Sequence, residues 1–203
     1  MNILITGFEP FDGEALNPSQ EVIRHFGEKS TFGPAHIHSL CLPVTFETSC
    51  EMVLESLANL QPTHLLMLGQ GAQNGCIALE TIAFNWIDAR IPDATGLQPK
   101  GTRISDAKRS SHVTTLPTTE MLRRLRAQDI PAEQSFWAGS YVCNALFFKI
   151  MHHIAQQPLQ TSAGFIHLPF LPEQCERNPR RIGLPLEKHL QGIACCLEAC
   201  LDS

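Results

Sequence analysis

The chain reads Phe-Trp-Ala-Gly-Ser-Tyr-Val-Cys-Asn-Ala-Leu-Phe-Phe from Phe136 to Phe148, a turn of small residues that leads into a helix. After the turn, apolar residues recur at helical spacing, with Leu146, Ile150 and Ile154 in one row. The spacing predicts that Cys143 lies in the first turn of this helix. The free N–H groups and the positive dipole end found there favour a thiolate over a thiol. Cys143 is therefore a candidate nucleophile, which needs a base and a group that orients the base.

Two apolar runs contain suitable partners. Gly164–Pro169 reads as a buried strand that carries His167 near its end, and Ile77–Asn85 reads as a strand that contains a lone carboxylate, Glu80. Burying an unpaired carboxylate is costly, so we expect an imidazolium beside Glu80. Together, Glu80, Cys143 and His167 predict the triad of a cysteine hydrolase, because such triads are recognised by the roles of their members and not by chain order.

Strands and helices alternate along the rest of the chain. Apolar patterns predict strands over Asn2–Thr6, Ala35–Leu42, His64–Leu68 and Leu79–Asn85, a short strand ending at Ser135–Phe136, and helices over Gln20–Phe26, from Phe46, over Thr118–Arg126 and over Pro185–Leu201. Ser19 and Thr45 are the predicted N-caps of the first two helices. The alternation predicts an α/β fold, a single-domain three-layer sandwich over residues 1–203. Its twisted, mostly parallel sheet is expected to have helices on both faces and the active site at the strand exit edge.

Two segments lack periodicity. Trp86–Thr115 has turn residues and mixed charge, which predicts a long irregular segment with a short hairpin. Pro169, Pro172 and Pro179 predict a non-helical connection before the last helix.

Composition excludes several classes of partner. The chain has 203 residues and a formal net charge of -5, which argues against nucleic acid or an anionic membrane as the main partner. No apolar run is long enough to span a bilayer, and Met1–Gly7 reads as a strand and not as a signal peptide, so we expect a cytoplasmic location. The eight cysteines are scattered and include no Cys-x-x-Cys pair, which predicts reduced thiols, no metal site and no cofactor.

Other residues compete for functional roles. Cys175 follows His167 closely, but its acidic neighbours Glu173 and Glu176 should raise its thiol pKa. The sequence Gly69-Gln70-Gly71 follows a strand but lacks the third glycine and the helix of a dinucleotide fingerprint. We expect these glycines to let the backbone approach a small ligand, with the Gln70 amide pointing into the site.

Several separated segments resemble, in the same order, the pyroglutamyl peptidase type I family, also called pyrrolidone carboxylate peptidases. They are Thr6–Phe11 with Asn17–Ser19, Leu68–Gly71, Leu79–Glu80 with Ala83–Asn85, Asp88–Asp93, Ala138–Asn144, and Gly164–Pro169 with Leu171–Gln174. Because they span nearly the whole chain, the resemblance is far more specific than a single motif.

The resemblance implies a cysteine peptidase that acts on peptides with an N-terminal pyroglutamyl residue, a flat neutral lactam. It implies Arg90 as a charged oxyanion candidate, beside backbone N–H groups of the Cys143 helix. The implied substrate-binding residues are the walls Phe8, Phe11, Ile91 and Val142, the amides Asn17 and Gln70, and, as a further lining residue, Thr45. The resemblance is also compatible with a homo-oligomer, either a dimer or a tetramer.

Departures from the family pattern leave alternatives open. Thr81 stands where the family commonly has a basic residue, and Ser140 and Ala145 also differ from the commonest residues. We expect tuning and not loss of activity, because the triad is intact. The same triad also suits a hydrolase of another small amide or lactam. A catalytically silent binding protein is a third hypothesis, which the intact Glu80, Cys143 and His167 argue against.

Overall fold

Fifteen elements form the part of the chain that a computed structural model describes, which is residues 1–71, 74–157, 159–176, 178 and 180–203. The strands are β1 (Asn2–Phe8), β2 (Thr31–Phe32), β3 (Ala35–Leu42), β4 (His64–Gln70), β5 (Ile77–Glu80), β6 (Ile82–Phe84), β7 (Ser111–Val113), β8 (Ala132–Ser135) and β9 (Ser162–Leu168). The helices are α1 (Pro18–Lys29), α2 (Thr48–Leu60), α3 (Thr118–Ala127), α4 (Val142–Gln156), α5 (Pro172–Cys175) and α6 (Leu186–Leu201).

Seven strands make one sheet in the order β2-β3-β1-β4-β9-β5-β8. The neighbours β3-β1, β1-β4, β4-β9 and β5-β8 run parallel, whereas β2 is antiparallel to β3 and β5 is antiparallel to β9. The prediction of a mostly parallel sheet is confirmed. The reversed direction of β5 was not predicted, and it determines how the site is built.

Both faces of the sheet are covered, because side chains alternate along each strand. In β4, Leu66 and Leu68 belong to a cluster with residues of α1, α3 and α6, whereas Leu65 and Met67 belong to a cluster with residues of α2 and α4. All four side chains are fully buried. Burial of each contributes about 1.5–3 kcal/mol relative to exposure. The predicted three layers are confirmed.

The N-termini of the first two helices differ from the predictions. Helix α1 begins at Pro18, and its N-cap is Asn17, whose Oδ1 accepts hydrogen bonds from the N–H and the hydroxyl of Ser19. Helix α2 begins at Thr48 and not at Phe46. The Phe46 N–H donates to the Asp93 carboxylate, a partner far away in the sequence, and this bond holds Phe46 outside the helix.

The predicted strand Leu79–Asn85 is wrong, because it divides at Thr81. Its first part is the end of β5, and the second is β6, which pairs with β7 in a separate two-stranded sheet. The Thr81 N–H still bonds to Ser135 O of β8, but the chain then leaves the main sheet. This pair is not the short hairpin predicted within Trp86–Thr115, because β6 precedes that segment and residues 85–110 separate the two strands.

The connection after β9 is also not wholly irregular. Pro172 opens the short helix α5, which suits a proline because the first helical N–H needs no intrahelical acceptor. Pro179 lies outside the described residues. None of the helices in the described part of the chain combines the length and the apolar character that crossing a lipid bilayer requires.

Candidate active site

Cys143 is the second residue of α4, as the helical spacing predicts. The turn before the helix includes Gly139 at φ +82°, in the left-handed region that favours glycine. Tyr141 is extended and occupies the N-cap without a side-chain cap bond. The Cys143 thiol therefore lies at a helix end whose backbone N–H groups are not capped by a side chain.

His167 is the penultimate residue of β9, and Gly69 of β4 is its neighbour in register. A Cβ atom on Gly69 would lie 3.0 Å from Cys143 Sγ, and one on Gly71 would lie 2.9 Å from His167 Cγ. The two glycines therefore make room for the thiol and the imidazole ring. The approach of this backbone to a small ligand stays a prediction.

Glu80 reaches His167 across the antiparallel β5-β9 pair. Glu80 lies opposite Phe165 and Ala78 lies opposite His167, so Glu80 and His167 are diagonal neighbours on one face of the sheet. The Glu80 carboxylate accepts a hydrogen bond from His167 Nδ1 over 2.7 Å. Because β5 is antiparallel to β9, Glu80 lies two residue pairs deeper in the sheet than His167, and its side chain is fully buried.

The protonation of His167 follows from these neighbours. Burial lowers its pKa, but hydrogen bonds with the Cys143 thiol and the Glu80 carboxylate, and the negative charge of both, outweigh burial and raise the pKa of His167 to about 10. The imidazole is thus held between a sulfur and a carboxylate. Within the described residues, Glu80 Oε2 and the hydroxyl of the neighbouring Thr81 have no hydrogen-bond partner.

A narrow cavity of about 20 Å³ lies beside the Cys143 thiol. Its lining residues are Phe8, Phe11, Asn17, Val44, Gln70, Tyr141, Val142 and Cys143. A wider groove shares Phe11, Val44 and Tyr141 with this cavity and adds Ile91. The structure therefore brings together most of the predicted binding residues. The residues that line the cavity are mainly apolar and include two amides. The Tyr141 hydroxyl donates a hydrogen bond to a backbone carbonyl.

The two amides differ in their freedom to bind a ligand. Asn17 Oδ1 accepts two hydrogen bonds from Ser19, and its Nδ2 donates to Glu9 O over 3.0 Å, so Asn17 is mainly a helix cap. In the described part of the chain, the Gln70 side chain bonds only through its Oε1, which accepts from Gln174 Nε2 over 2.9 Å. Gln70 is therefore less committed to protein partners there than Asn17.

Two of the predicted site residues lie elsewhere. The Arg90 side chain is exposed and pairs with Asp12 at 2.8 Å, and it does not line the cavity. Thr45 is buried, and its hydroxyl accepts from the Ser49 N–H, so its predecessor Val44 lines the cavity instead.

Tyr141 and Val44 were missed from the sequence. The Tyr141 hydroxyl donates to Pro92 O over 2.9 Å, while the ring packs edge-on against Phe46. Burial and the nearby Asp93 carboxylate raise the pKa of Tyr141, which keeps the hydroxyl protonated and able to donate. The available signal for Tyr141 was its position between the small-residue turn and Val142, because residues close to a nucleophile in the chain are expected to line its site.

The competing thiol Cys175 is not in this cavity. Its thiol donates to Leu171 O in α5, and burial raises its pKa, with Glu14 and Glu173 adding to the effect and Arg181 opposing it. In the described ranges, no three His, Cys, Asp or Glu side chains converge in a way that could hold a metal ion.

An α/β fold that places a cysteine at a helix start beside a strand histidine, itself hydrogen-bonded to a buried carboxylate, next to an apolar cavity, has the architecture of a cysteine hydrolase. Comparison with known proteins gives the family. The sequence model of pyroglutamyl peptidases matches residues 1–203. The chain belongs to the pyroglutamyl peptidase family.

Relatives and solved structures agree with this assignment. The chain is 36% identical over 201 residues to a pyrrolidone-carboxylate peptidase of Brevibacillus brevis, covering 98% of this chain and 93% of that protein. It is 38% identical over 203 residues to one of Cupriavidus taiwanensis, with 99% and 93% covered. The crystal structure of pyroglutamyl peptidase I from Bacillus amyloliquefaciens superposes with a TM-score of 0.94 at 32% identity, covering 100% of this chain and 97% of that one. A pyrrolidone carboxyl peptidase from Pyrococcus furiosus gives 0.94 at 30%, with 100% and 99% covered.

Proposed function

We propose that this chain is a cysteine exopeptidase that removes an N-terminal pyroglutamyl residue from peptides. The observation that carries the proposal is the position of the His167 imidazole, which donates to the Glu80 carboxylate and lies beside the Cys143 thiol, whose influence helps to raise the pKa of His167. The names of the relatives supply the substrate class. The small apolar cavity beside Cys143 supports it, because a lactam ring has two flat apolar faces.

In the proposed mechanism, the Cys143 thiol proton passes to His167, and the resulting thiolate attacks the carbonyl carbon of the scissile amide. The tetrahedral intermediate collapses as His167 protonates the departing amine, which leaves a thioester on Cys143. Water, deprotonated by His167, then attacks the thioester and releases pyroglutamate and the free thiol. Glu80 holds the imidazole in the tautomer that presents Nε2 to sulfur and stabilises its charged form.

The oxyanion needs hydrogen-bond donors, and we propose backbone N–H groups at the start of α4. The N–H groups of Val142, Cys143 and Asn144 precede the first intrahelical hydrogen bond, which the Ala145 N–H makes to Tyr141 O. Arg90 is the weaker candidate, because its guanidinium is paired with Asp12 at the surface. A helix N-terminus can supply both the donors and the favourable dipole.

The wider properties of the protein are proposed on separate grounds. Residues 1–203 act as a single peptidase domain, which is supported by one seven-stranded sheet that carries Glu80 and His167, with Cys143 in a helix packed on it. A cytoplasmic location is supported by the eight thiols, because the proposed nucleophile must stay reduced. Self-association as a dimer or tetramer is supported by exposed aromatic side chains, those of Trp86, Phe136 and Trp137.

Release of a fluorophore from a pyroglutamyl amide under reducing conditions tests the function. We expect turnover by the wild type, a loss of at least about 10³-fold in Cys143→Ala, and wild-type turnover in the matched thiol variant Cys175→Ala. Absence of turnover by the folded wild-type protein would contradict the proposed peptidase function. Loss of turnover in Cys175→Ala, with activity kept in Cys143→Ala, would show that Cys175 and not Cys143 is the nucleophile.

A further inference from the structure

Phe165 is a buried aromatic residue in the strand that carries His167. It is 1% exposed and lies two residues before His167 in β9, so both side chains point to the same face of the sheet. The centres of the Phe165 ring and of the imidazole are 4.9 Å apart, and the two ring planes make an angle of 51°. The histidine of the site therefore has an aromatic neighbour beside its two polar ones.

The outer end of the Phe165 ring packs against the backbone of β4. A Cβ atom on Gly69 would lie 2.8 Å from Phe165 Cζ and 3.0 Å from Cys143 Sγ, so the tip of the ring and the sulfur approach the same glycine. Because the tip faces Gly69, the imidazole meets the side of the ring. A second ring, that of Phe147 in α4, has its centre 6.0 Å from that of Phe165. Packing on these sides holds the Phe165 ring in place next to the imidazole.

Few charged groups face His167. The titratable groups next to it are the Glu80 carboxylate of β5 and the Cys143 thiol of α4. Residues 69–71, which pack beside the imidazole, have no charged side chain, and β9 itself presents the Phe165 ring. An imidazolium at this place is buried, and a cation within about 6 Å of an aromatic ring centre interacts with the ring more strongly when it is removed from water.

We propose that Phe165 is a positioning residue that stabilises the charged form of His167 through a cation–π contact. A neutral imidazole gains only ordinary packing from the ring, whereas the imidazolium is also attracted by the ring quadrupole. The inference rests on the proposed function, in which His167 must be an imidazolium to protonate the departing amine. Phe165 does not line the cavity beside Cys143, so its effect reaches the reaction through His167 and not through substrate binding.

Titration of the His167 ring followed by NMR tests the contact without any turnover, with the signal assigned by its absence in His167→Gln. Phe165→Leu removes the ring and keeps an apolar side chain, so the pKa of His167 should fall by about 0.5–1 pH unit relative to wild type. Phe147→Leu is the matched control, because it truncates a fully buried ring that contacts Phe165. The control should lose stability and keep the wild-type pKa of His167.

A role in packing alone predicts the opposite sign. If the Phe165 ring only fills space, its truncation admits water to the imidazole and raises the pKa of His167, since burial lowers that pKa. A rise, or an unchanged value, would overturn the proposal. If Phe165→Leu does not fold, 3,5-difluorophenylalanine placed at position 165 decides, because it keeps the ring and draws electron density from its face. The pKa of His167 should then fall again.

Steady-state kinetics with a pyroglutamyl fluorogenic amide give the second readout. In Phe165→Leu, the basic limb of the kcat profile should move to lower pH by the same amount, with KM close to that of wild type. A raised KM with an unmoved basic limb would also contradict the proposal. If wild type does not hydrolyse the amide, the proposed function fails, whereas the NMR titration still decides whether Phe165 stabilises the imidazolium.

Discussion

At the scale of single residues, the side chains beside Cys143 shape the cavity through the atoms that they bond. Tyr141 precedes Val142 and ties the turn to the segment that carries Ile91, because its hydroxyl donates to Pro92 O. Ser140 adds a second tie, from its hydroxyl to Asp88 O over 2.9 Å. The segment that carries Ile91 is therefore held by residues that come just before the nucleophile in the chain.

Tyr141→Phe removes only the hydroxyl of this tie and keeps the ring. We expect KM for the pyroglutamyl amide to rise about threefold to tenfold with a smaller change in kcat, and stability to fall by about 1 kcal/mol, because one hydrogen bond is lost. Thr161→Val is the matched control, since its buried hydroxyl donates to Pro62 O over 2.7 Å away from the cavity. An unchanged KM in Tyr141→Phe, with the stability loss present in both variants, would show that the tie is only structural.

At the scale of elements, one side chain joins α4 to the two-stranded β6-β7 sheet. Asn144 is fully buried; its Oδ1 accepts from the Phe84 N–H over 2.9 Å, and its Nδ2 donates to Phe84 O and Trp86 O over 2.9 and 3.0 Å. The amide pairs with the backbone of β6 as a neighbouring strand would. Asn144 therefore fixes the start of the helix that carries Cys143.

Asn144→Ala should leave the Phe84 N–H and Trp86 O without partners, while Phe84 O keeps the Trp86 N–H. We expect a loss of about 2–4 kcal/mol in the free energy of unfolding, measured by urea denaturation, together with reduced kcat. Gln156→Ala, at the exposed end of the same helix, is the control and should change stability by less than about 0.5 kcal/mol. A stability loss no larger than that of the control would contradict the role of Asn144 as a substitute strand.

Features that depend on local interactions could be predicted from the sequence, and features that depend on partners far away in the chain could not. Cys143 and His167 carry local signals, a helix start and a strand end, and both were placed correctly in their elements. Phe46 and Arg90 are positioned by Asp93 and Asp12, partners that lie far away in the chain, so local periodicity could not place them. The break at Thr81 could not be predicted from local periodicity either, because what separates β6 from β5 is the pairing of β6 with the distant strand β7.

At the scale of the whole molecule, buried histidines determine the response to acid. Burial lowers the pKa of His189 to about 4, and burial, with the charges of His152 and Arg109, lowers that of His112 to about 4. The ordinary value is 6.5. Between these values the unfolded chain binds protons that the folded chain does not, so stability must fall as pH drops from about 6.5 toward 4.

His189→Met tests this acid response. His189 is fully buried, and within the described residues neither ring nitrogen has a hydrogen-bond partner. We expect the free energy of unfolding of the variant to be about 1 kcal/mol higher than that of wild type at neutral pH. During acidification, wild type should lose up to about 1.4 kcal/mol per pH unit more than the variant. Urea unfolding between pH 7 and 4 is the measurement, and His36→Gln, at an exposed histidine, is the control. A pH profile that is parallel to that of wild type would contradict the prediction.

The reversed strand β5 has a consequence for inactivation. It contacts the rest of the main sheet through β9 and carries β8 outside it at the edge, so Glu80 belongs to the outermost pair of strands. Proteins open in cooperative units, and edge units open at lower free energy than the centre. Opening between β5 and β9 would separate Glu80 from His167 and leave β1, β4 and β9 paired. A sample heated to just below its unfolding transition would then contain molecules that are folded but inactive. Enzyme activity should therefore fall at a lower temperature than the spectroscopic signal of unfolding.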